Sequence, residues 1–473
     1  MKWLATFSLT LILCLQAYTQ SSSDLRIANK YAYSGQCTNA IEMYKTFESK
    51  LSLQTYYTTY LKCLLEEKKY IDAITLVKNA RKKYPNQIKY IFDLGLVYKK
   101  KGDKYRADKE FKKSLDNLRA GRTSDVNTLA TKFSKNGEGE WLNKVYEKGQ
   151  ELNPNYEFGF QQASSLANLG QTEKMIDVYL NLVEKKASNL NTVKIKLQNS
   201  LGRTKSSKDN YDLLRKKLLL RVQKTNNSEL TELLVWLYIQ SNEYDAAYIY
   251  TKALDKRLKE DGSRMYDLAY IAYENKAYQS AIKCYQYVVN LGSENSYYKD
   301  AKISEVIVAG EALVETDYSN EELLELDKNY KSVISELGET RDMVYLMKDY
   351  AKIKAFYLYD YPLAIQLLEK SIQLLDNGKL QAECKLMLGD ILLIINEEWD
   401  AILLYSQVEK SFKENPIGHQ AKYNRAKVSY YQGQFDWAQA QLDVLKASTT
   451  KLISNNAMKL SLFITDNLGL DTS

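Results

Sequence analysis

The sequence predicts an all-α protein assembled from successive helix-turn-helix pairs, and three observations predict it. Its 473 residues hold only 4 prolines and 19 glycines, while Leu, Ala, Lys, Glu and Tyr dominate, as helices joined by short turns require. No run of alternating Val, Ile and Thr bounded by turn residues is long enough to argue for a sheet. A small or apolar residue also returns at a nearly fixed interval: Ala40, Ala73, Ala107, Leu142 and Met175 stand at steps of 33 to 35 residues, a true internal period.

The chain begins "MKWLATFSLTLILCLQAYTQ". One lysine, an apolar run from Leu4 to Leu15 and then small and polar residues read as a secretory signal peptide over 1–19, with cleavage near Ala17 to Gln20. The run is too short for a stable bilayer anchor. Leu13 stands where lipidation of Cys14 would need a small residue. Removing this segment leaves Cys37, Cys63, Cys284 and Cys384, read as small buried hydrophobes. No CxxC spacing suits zinc, and spacing alone leaves open whether Cys37 and Cys63 pair.

Residues 20–186 read as a first array. Its best-formed unit is "LGLVYKKKGDKYRADKEF", where Leu94, Gly95 and Tyr98 share one face of a helix and Ala107 and Phe111 share a face of the next. Small residues at Gly95 and Ala107 let the helices approach, and Gly102 turns the chain between them. Residues 187–229 keep helical apolar spacing without the alanine and aromatic positions. They read as a degenerate helical connector with a polar, mobile loop near Thr204 to Asn210. The period returns over 230–447, at Ala247, Ala281, Ala364, Ala401 and Ala438. An irregular helical pair near 296–339 interrupts it, with Asp or Ser as N-cap in the turn Asp317 to Glu321. Residues 448–473 start one more first helix, unpaired, so the sequence is expected to stop short of its natural C-terminus.

The recurring Leu-Gly pair, the aromatic three residues on, the turn glycine, the alanine five beyond it and the large residue four later resemble the tetratricopeptide repeat. The resemblance covers residues 24 to 447, and the wording is similar to secreted tetratricopeptide proteins of the Bacteroidota. It implies an all-α, right-handed superhelical solenoid of tandem helix-turn-helix repeats with a concave inner surface. The family's inner positions on the first helices then fall on Phe92, Lys99, Lys100, Phe160, Trp236, Tyr266, Tyr270, Tyr273, Tyr423, Tyr430 and Tyr431. Aromatic anchors on a polar surface favour peptide or protein recognition. Among the 39 tyrosines, Tyr44, Tyr146, Tyr179, Tyr285 and Tyr405 fall instead on framework positions and are expected in the core. The carboxylate clamp of one family subtype is not carried over, because Phe92 and Leu96 stand where it needs Lys and Asn.

Catalytic signatures are missing from the sequence. A P-loop or dinucleotide motif is absent, and Gly137 and Gly139 of "NGEGEW" belong to a repeat turn. One histidine, His419, leaves little for triads, proton shuttles or metal sites. The 66 basic and 59 acidic side chains, net +7, are interspersed, which argues for a solvated helical surface and against nucleic acid as a partner. The sequence therefore reads as a non-enzyme without cofactor or metal. Its expected role is a secreted adaptor or scaffold, periplasmic or outer-membrane-associated, binding a protein segment in its groove or assembling an envelope complex. The alternatives are a self-associating structural protein, or the interaction module of a longer enzyme or transporter subunit.

Overall fold

Among the described residues, helices follow one another in pairs, with two to four residues between the two helices of a pair in the regular repeats. The structure is a computed structural model that describes residues 23–47, 52–202, 207–446 and 451–468. The expected signal peptide lies outside them. Among the described residues the chain forms 25 α-helices and no strand. Successive helices pair as first and second helix, for example Ile88–Lys101 with Lys104–Asp116 and Lys379–Ile394 with Glu398–Ser411. The chain divides into two compact units, Met1–Leu233 and Leu234–Ser473.

The turn is a backbone device. A residue with positive φ stands two positions before the second helix at Gly35, Lys68, Gly102, Gly137, Gly170, Asn242, Lys276, Tyr359, Asn396 and Gly433. After Tyr359 the Asp360 N–H reaches Lys354 O, six residues back, at 2.8 Å. At all the others the next N–H reaches back to a carbonyl five residues earlier, as in Asp103 N to Tyr98 O and Glu397 N to Leu392 O, both 2.9 Å. These are the bonds of a Schellman motif, which satisfies carbonyls orphaned at the first helix's end and reverses the chain.

Packing follows the sequence period. Ala40, Ala73, Ala107, Leu142, Met175, Ala247, Ala281, Ala364, Ala401 and Ala438 are all buried. A large ring four residues beyond meets a small residue sixteen positions before it. A Cβ at Gly95 would lie 2.5 Å from Phe111 Cδ1, and one at Gly389 would lie 2.6 Å from Tyr405 Cε1. Ala28, Ala130, Ala163 and Ala269, buried, hold the same place relative to Tyr44, Tyr146, Tyr179 and Tyr285. The tyrosine hydroxyls escape through the neighbouring first helix: Tyr44 Oη donates to Asn29 Oδ1 and Tyr405 Oη to Asp390 Oδ1, both at 2.6 Å. Prolines sit where they break no hydrogen bond, with Pro362 and Pro416 in the first turns of Tyr361–Leu374 and Pro416–Tyr431.

In the N-terminal unit a disulfide joins Cys37 to Cys63, with Cα atoms 4.9 Å apart. It ties the opening of Cys37–Lys45 to the following first helix, Leu53–Glu66. The connector forms two helices, Leu190–Leu201 and Ser207–Thr225. Residues 207–210, expected in a loop, are helical, and 203–206 lie outside the described residues. The longer helix is held because Lys217 and Arg221, one turn apart, both bond Asp177 of Thr172–Lys185, at 2.8 and 3.1 Å. Arg221 also reaches Glu184 at 2.9 Å.

In the C-terminal unit the irregular pair is Tyr298–Val314 and Asn320–Leu337. Ser319 is its N-cap and forms a reciprocal capping box with Glu322. Its core continues through the stacked rings of Tyr330 and Tyr350, 4.9 Å apart. The helix Lys451–Leu468 packs on Phe435–Lys446 through Ile453, Ala457 and Ile464. It leaves Met458, Leu462 and Phe463 exposed.

Candidate partner-binding surfaces

In the N-terminal unit, three successive first helices, Thr123–Lys135, Gly159–Asn168 and Leu190–Leu201, bring polar side chains to one pocket of about 530 Å³. Asn127, Thr131 and Ser134 line it from the first, Phe160, Gln161, Ser164 and Asn168 from the second, and Lys196 from the third. The spacing is that of one helical face. Two acceptors here are orphaned: Asn127 Oδ1 and Gln161 Oε1 are shielded from solvent and accept no hydrogen bond. The amide nitrogen of Gln161 is engaged with Tyr156 Oη at 3.5 Å, a long contact. A shielded amide oxygen without a donor is costly, and Tyr90 Oη and Gln171 Oε1 elsewhere in the unit share that state, but here two such oxygens border one pocket.

Phe160 lines this pocket. Phe92 does not lie on a groove. Its ring is fully buried, 5.4 Å from Phe111 and 4.8 Å from Phe133, with Lys132 Nζ 5.3 Å above it. The cause is the next first helix, Thr123–Lys135, which packs over that face and covers it. Beside Phe92, Asp93 is buried too, accepting from Tyr57 Oη at 2.9 Å and Lys132 Nζ at 2.6 Å. Burial pushes its pKa above the usual aspartate range, against the pull of Lys132 and the Tyr57 hydrogen bond. Lys99 pairs with Glu138, the N-cap of Gly139–Leu152 in the next pair, and Lys100 is exposed.

The predicted tyrosines of the C-terminal unit divide by environment. Tyr266 is half-buried between the rings of Tyr285 and Tyr297, each 5.5 Å away, so part of its surface belongs to the core. Burial raises its pKa. Tyr273 donates to Glu311 Oε1 of the next first helix at 3.2 Å. Burial and that hydrogen bond push its hydroxyl up to about 12. Tyr270, between them in sequence, is 55% exposed. Tyr430 packs against Phe435 and Phe463, at 5.7 and 6.1 Å, while its neighbour Tyr431 is 76% exposed. Tyr423 and Trp236 are half-buried. Asn127 and Gln161 had no signal in the sequence, because a search for aromatic anchors passes over amides whose distinction is a missing hydrogen bond.

Burial raises the thiol pKa of Cys284 to about 12 and of Cys384 to about 11, far from a reactive thiolate. One group among the described residues brings three ligating atoms together, Cys37, Cys63 and Glu66 within 4.8 Å. The disulfide ties up both sulfurs, so they are not thiolate ligands. No helix among the described residues is long and apolar enough to cross a membrane.

Fold and surfaces together define a helical-repeat protein whose first helices present polar and tyrosine-bearing faces. Comparison with known proteins finds no matching family model and no matching curated protein. Solved structures are similar at low identity. Yeast Tom70 is 14% identical, over 96% of this chain and 97% of that one, with a TM-score of 0.36. The hetero-tetramer Cut9–Hcn1 of the APC/C is 14% identical, over 93% and 90%, with a TM-score of 0.35. A tetratricopeptide repeat protein from Parabacteroides merdae is 13% identical, over 61% and 93%, with a TM-score of 0.26. At these scores the repeat assignment rests on the chain's own period, turns and packing.

Proposed function

We infer that the protein is a non-catalytic interaction scaffold that works outside the cytoplasm, in the periplasm or at the outer membrane, and holds a protein segment along its first helices. The observation that carries the reading is the first-helix pocket with its two orphaned amide oxygens, Asn127 Oδ1 and Gln161 Oε1. Main-chain N–H groups of an extended segment are the donors those oxygens lack, and Phe160 offers an apolar contact beside them. In the C-terminal unit the exposed rings of Tyr270 and Tyr431 supply contact area at low entropy cost. The apolar run Leu4 to Leu15 and the Cys37–Cys63 disulfide support export, since disulfides persist in oxidising compartments.

Affinity isolation from envelope extract tests the reading, with wild type beside Asn127→Ala/Gln161→Ala and Tyr266→Ala/Tyr270→Ala. A partner lost by either variant, with circular dichroism unchanged, is the expected result. Equal retention of every partner by both variants removes it. A second reading, self-association, rests on the exposed Met458, Leu462 and Phe463 of the terminal helix. It requires a light-scattering mass above that of a monomer, restored to monomer by Leu462→Glu/Phe463→Glu.

A further inference from the structure

Two second helices of the C-terminal unit, Tyr244–Leu258 and Tyr278–Val289, border a pocket of about 510 Å³ that the scaffold reading does not use. Lys252, Lys256, Lys259 and Lys283 all line it. Its acids are already engaged. Asp255 is buried and accepts from Tyr287 Oη at 2.7 Å and from the Gly262 N–H at 3.0 Å. Glu260 accepts from Arg264 Nε at 2.6 Å.

The lysines are in different states. Lys283 is held by Asp245 at 2.9 Å. Lys252 is fixed over the rings of Tyr248 and Tyr287, 5.4 and 5.6 Å from their centres, and donates to Tyr248 Oη at 3.3 Å. Lys256 and Lys259 are exposed, and among the described residues neither pairs with a carboxylate. Among the described residues none of these three ammonium groups, of Lys252, Lys256 and Lys259, pairs directly with a carboxylate. Against them the pocket sets Asp255, whose donors are neutral, and Glu260, already held by Arg264, and the remaining excess of positive charge is one that an anion would relieve.

The neighbouring pocket does not share this excess of positive charge. The next pocket of the unit is lined by one lysine, Lys276, and one glutamate, Glu322. A long polyanion needs a continuous basic track, so the ligand that fits is small. Lysine ammonium groups bind phosphate as point charges. Leu291 and the edges of Tyr248 and Tyr287 give an apolar wall, and Gln286 and Asn290 offer amides. The volume is within the range of small-molecule sites.

We propose that this pocket binds the phosphate group of a small phosphate ester, through Lys252, Lys256 and Lys259. Isothermal titration of the full mature chain with inorganic pyrophosphate, at low salt and at physiological salt, tests it. Lys256→Gln/Lys259→Gln touches no internal partner and keeps the fold; Lys410→Gln/Lys413→Gln removes the same charge elsewhere. One-site saturable binding, weakened about tenfold or more by the first variant and not by the second, is expected from losing two charge-assisted contacts. No saturable binding, or equal weakening by both variants, overturns the proposal. Co-sedimentation with phosphatidylglycerol vesicles, against phosphatidylcholine, assigns the source. Vesicle binding that needs Lys256 and Lys259 places the phosphate on a lipid headgroup, and pyrophosphate binding without it places the phosphate on a soluble ester.

Discussion

Asp93 is 3% exposed, one residue after a phenylalanine that the sequence places on an open groove. Register tells which face of Ile88–Lys101 these two residues share, but not how closely the next first helix rides over it. Here Phe133 and Lys132 of that helix lie directly against Phe92, and Lys132 bonds Asp93, so both are buried. The buried carboxyl has a titration consequence. Its pKa is raised by desolvation, so folding takes up a proton at Asp93 between the ordinary aspartate value, about 4, and the raised folded value. The stability it contributes is complete below the unfolded-state pKa and is lost as pH rises through the folded-state pKa. Denaturant unfolding of wild type and Asp93→Asn across pH 4 to 8 checks this. The wild type's stability relative to the variant is expected to fall with rising pH over that window. A difference that is flat, or that grows with pH, contradicts the assignment.

At the scale of the element, the turn was half legible. Glycines at 35, 102, 137, 170 and 433 announce it, because only glycine adopts positive φ without steric cost. Lys68, Asn242, Lys276, Tyr359 and Asn396 occupy the same place with the same backbone, and nothing in their side chains advertises it. There the pairing of helices over-determines the turn, and the left-handed residue carries strain. The buried alanines were fully legible, since their spacing is the repeat itself. The small residue sixteen positions before each large ring was visible only once Gly95 was seen against Phe111 and Gly389 against Tyr405. Two substitutions of opposite sign separate strain from packing. Lys68→Gly is expected to stabilise the N-terminal unit by roughly 0.5–1 kcal/mol, and Gly102→Ala to destabilise it by about 1 kcal/mol. An added Cβ at Gly102 meets nothing within 4 Å, so its cost is that of backbone conformation alone. Both are read from urea midpoints, and a destabilising Lys68→Gly would show that the lysine's aliphatic stem, not its φ, governs the turn.

For the whole molecule, a stack of pairs in which each helix contacts its chain neighbours has no single core to unfold, so stability is a sum of local terms and couplings between adjacent pairs. The sequence carried that much: the period and the pairing. It did not carry the disulfide, because four well-separated cysteines in a long chain have no distinguishing spacing, and only the approach of Cys37–Lys45 to Leu53–Glu66 brings two of them together. The bridge closes 26 residues of sequence, a loop for which chain entropy gives on the order of 3 kcal/mol. In a stack, that amount is not shared evenly. The bridge ties Cys37–Lys45 to Leu53–Glu66, so its effect falls first on the helices it joins. Hydrogen exchange before and after reduction with dithiothreitol, and on Cys37→Ser/Cys63→Ser, should therefore show faster exchange concentrated in residues 23–47. The effect should weaken through Leu53–Lys83 and vanish by Thr172–Lys185. Uniform acceleration across the N-terminal unit would mean that it unfolds as one cooperative block. No change at residues 23–47 would mean that the packing of Tyr44 against Tyr56 and Tyr60, at 6.0 and 5.2 Å, holds the first pair without the bridge.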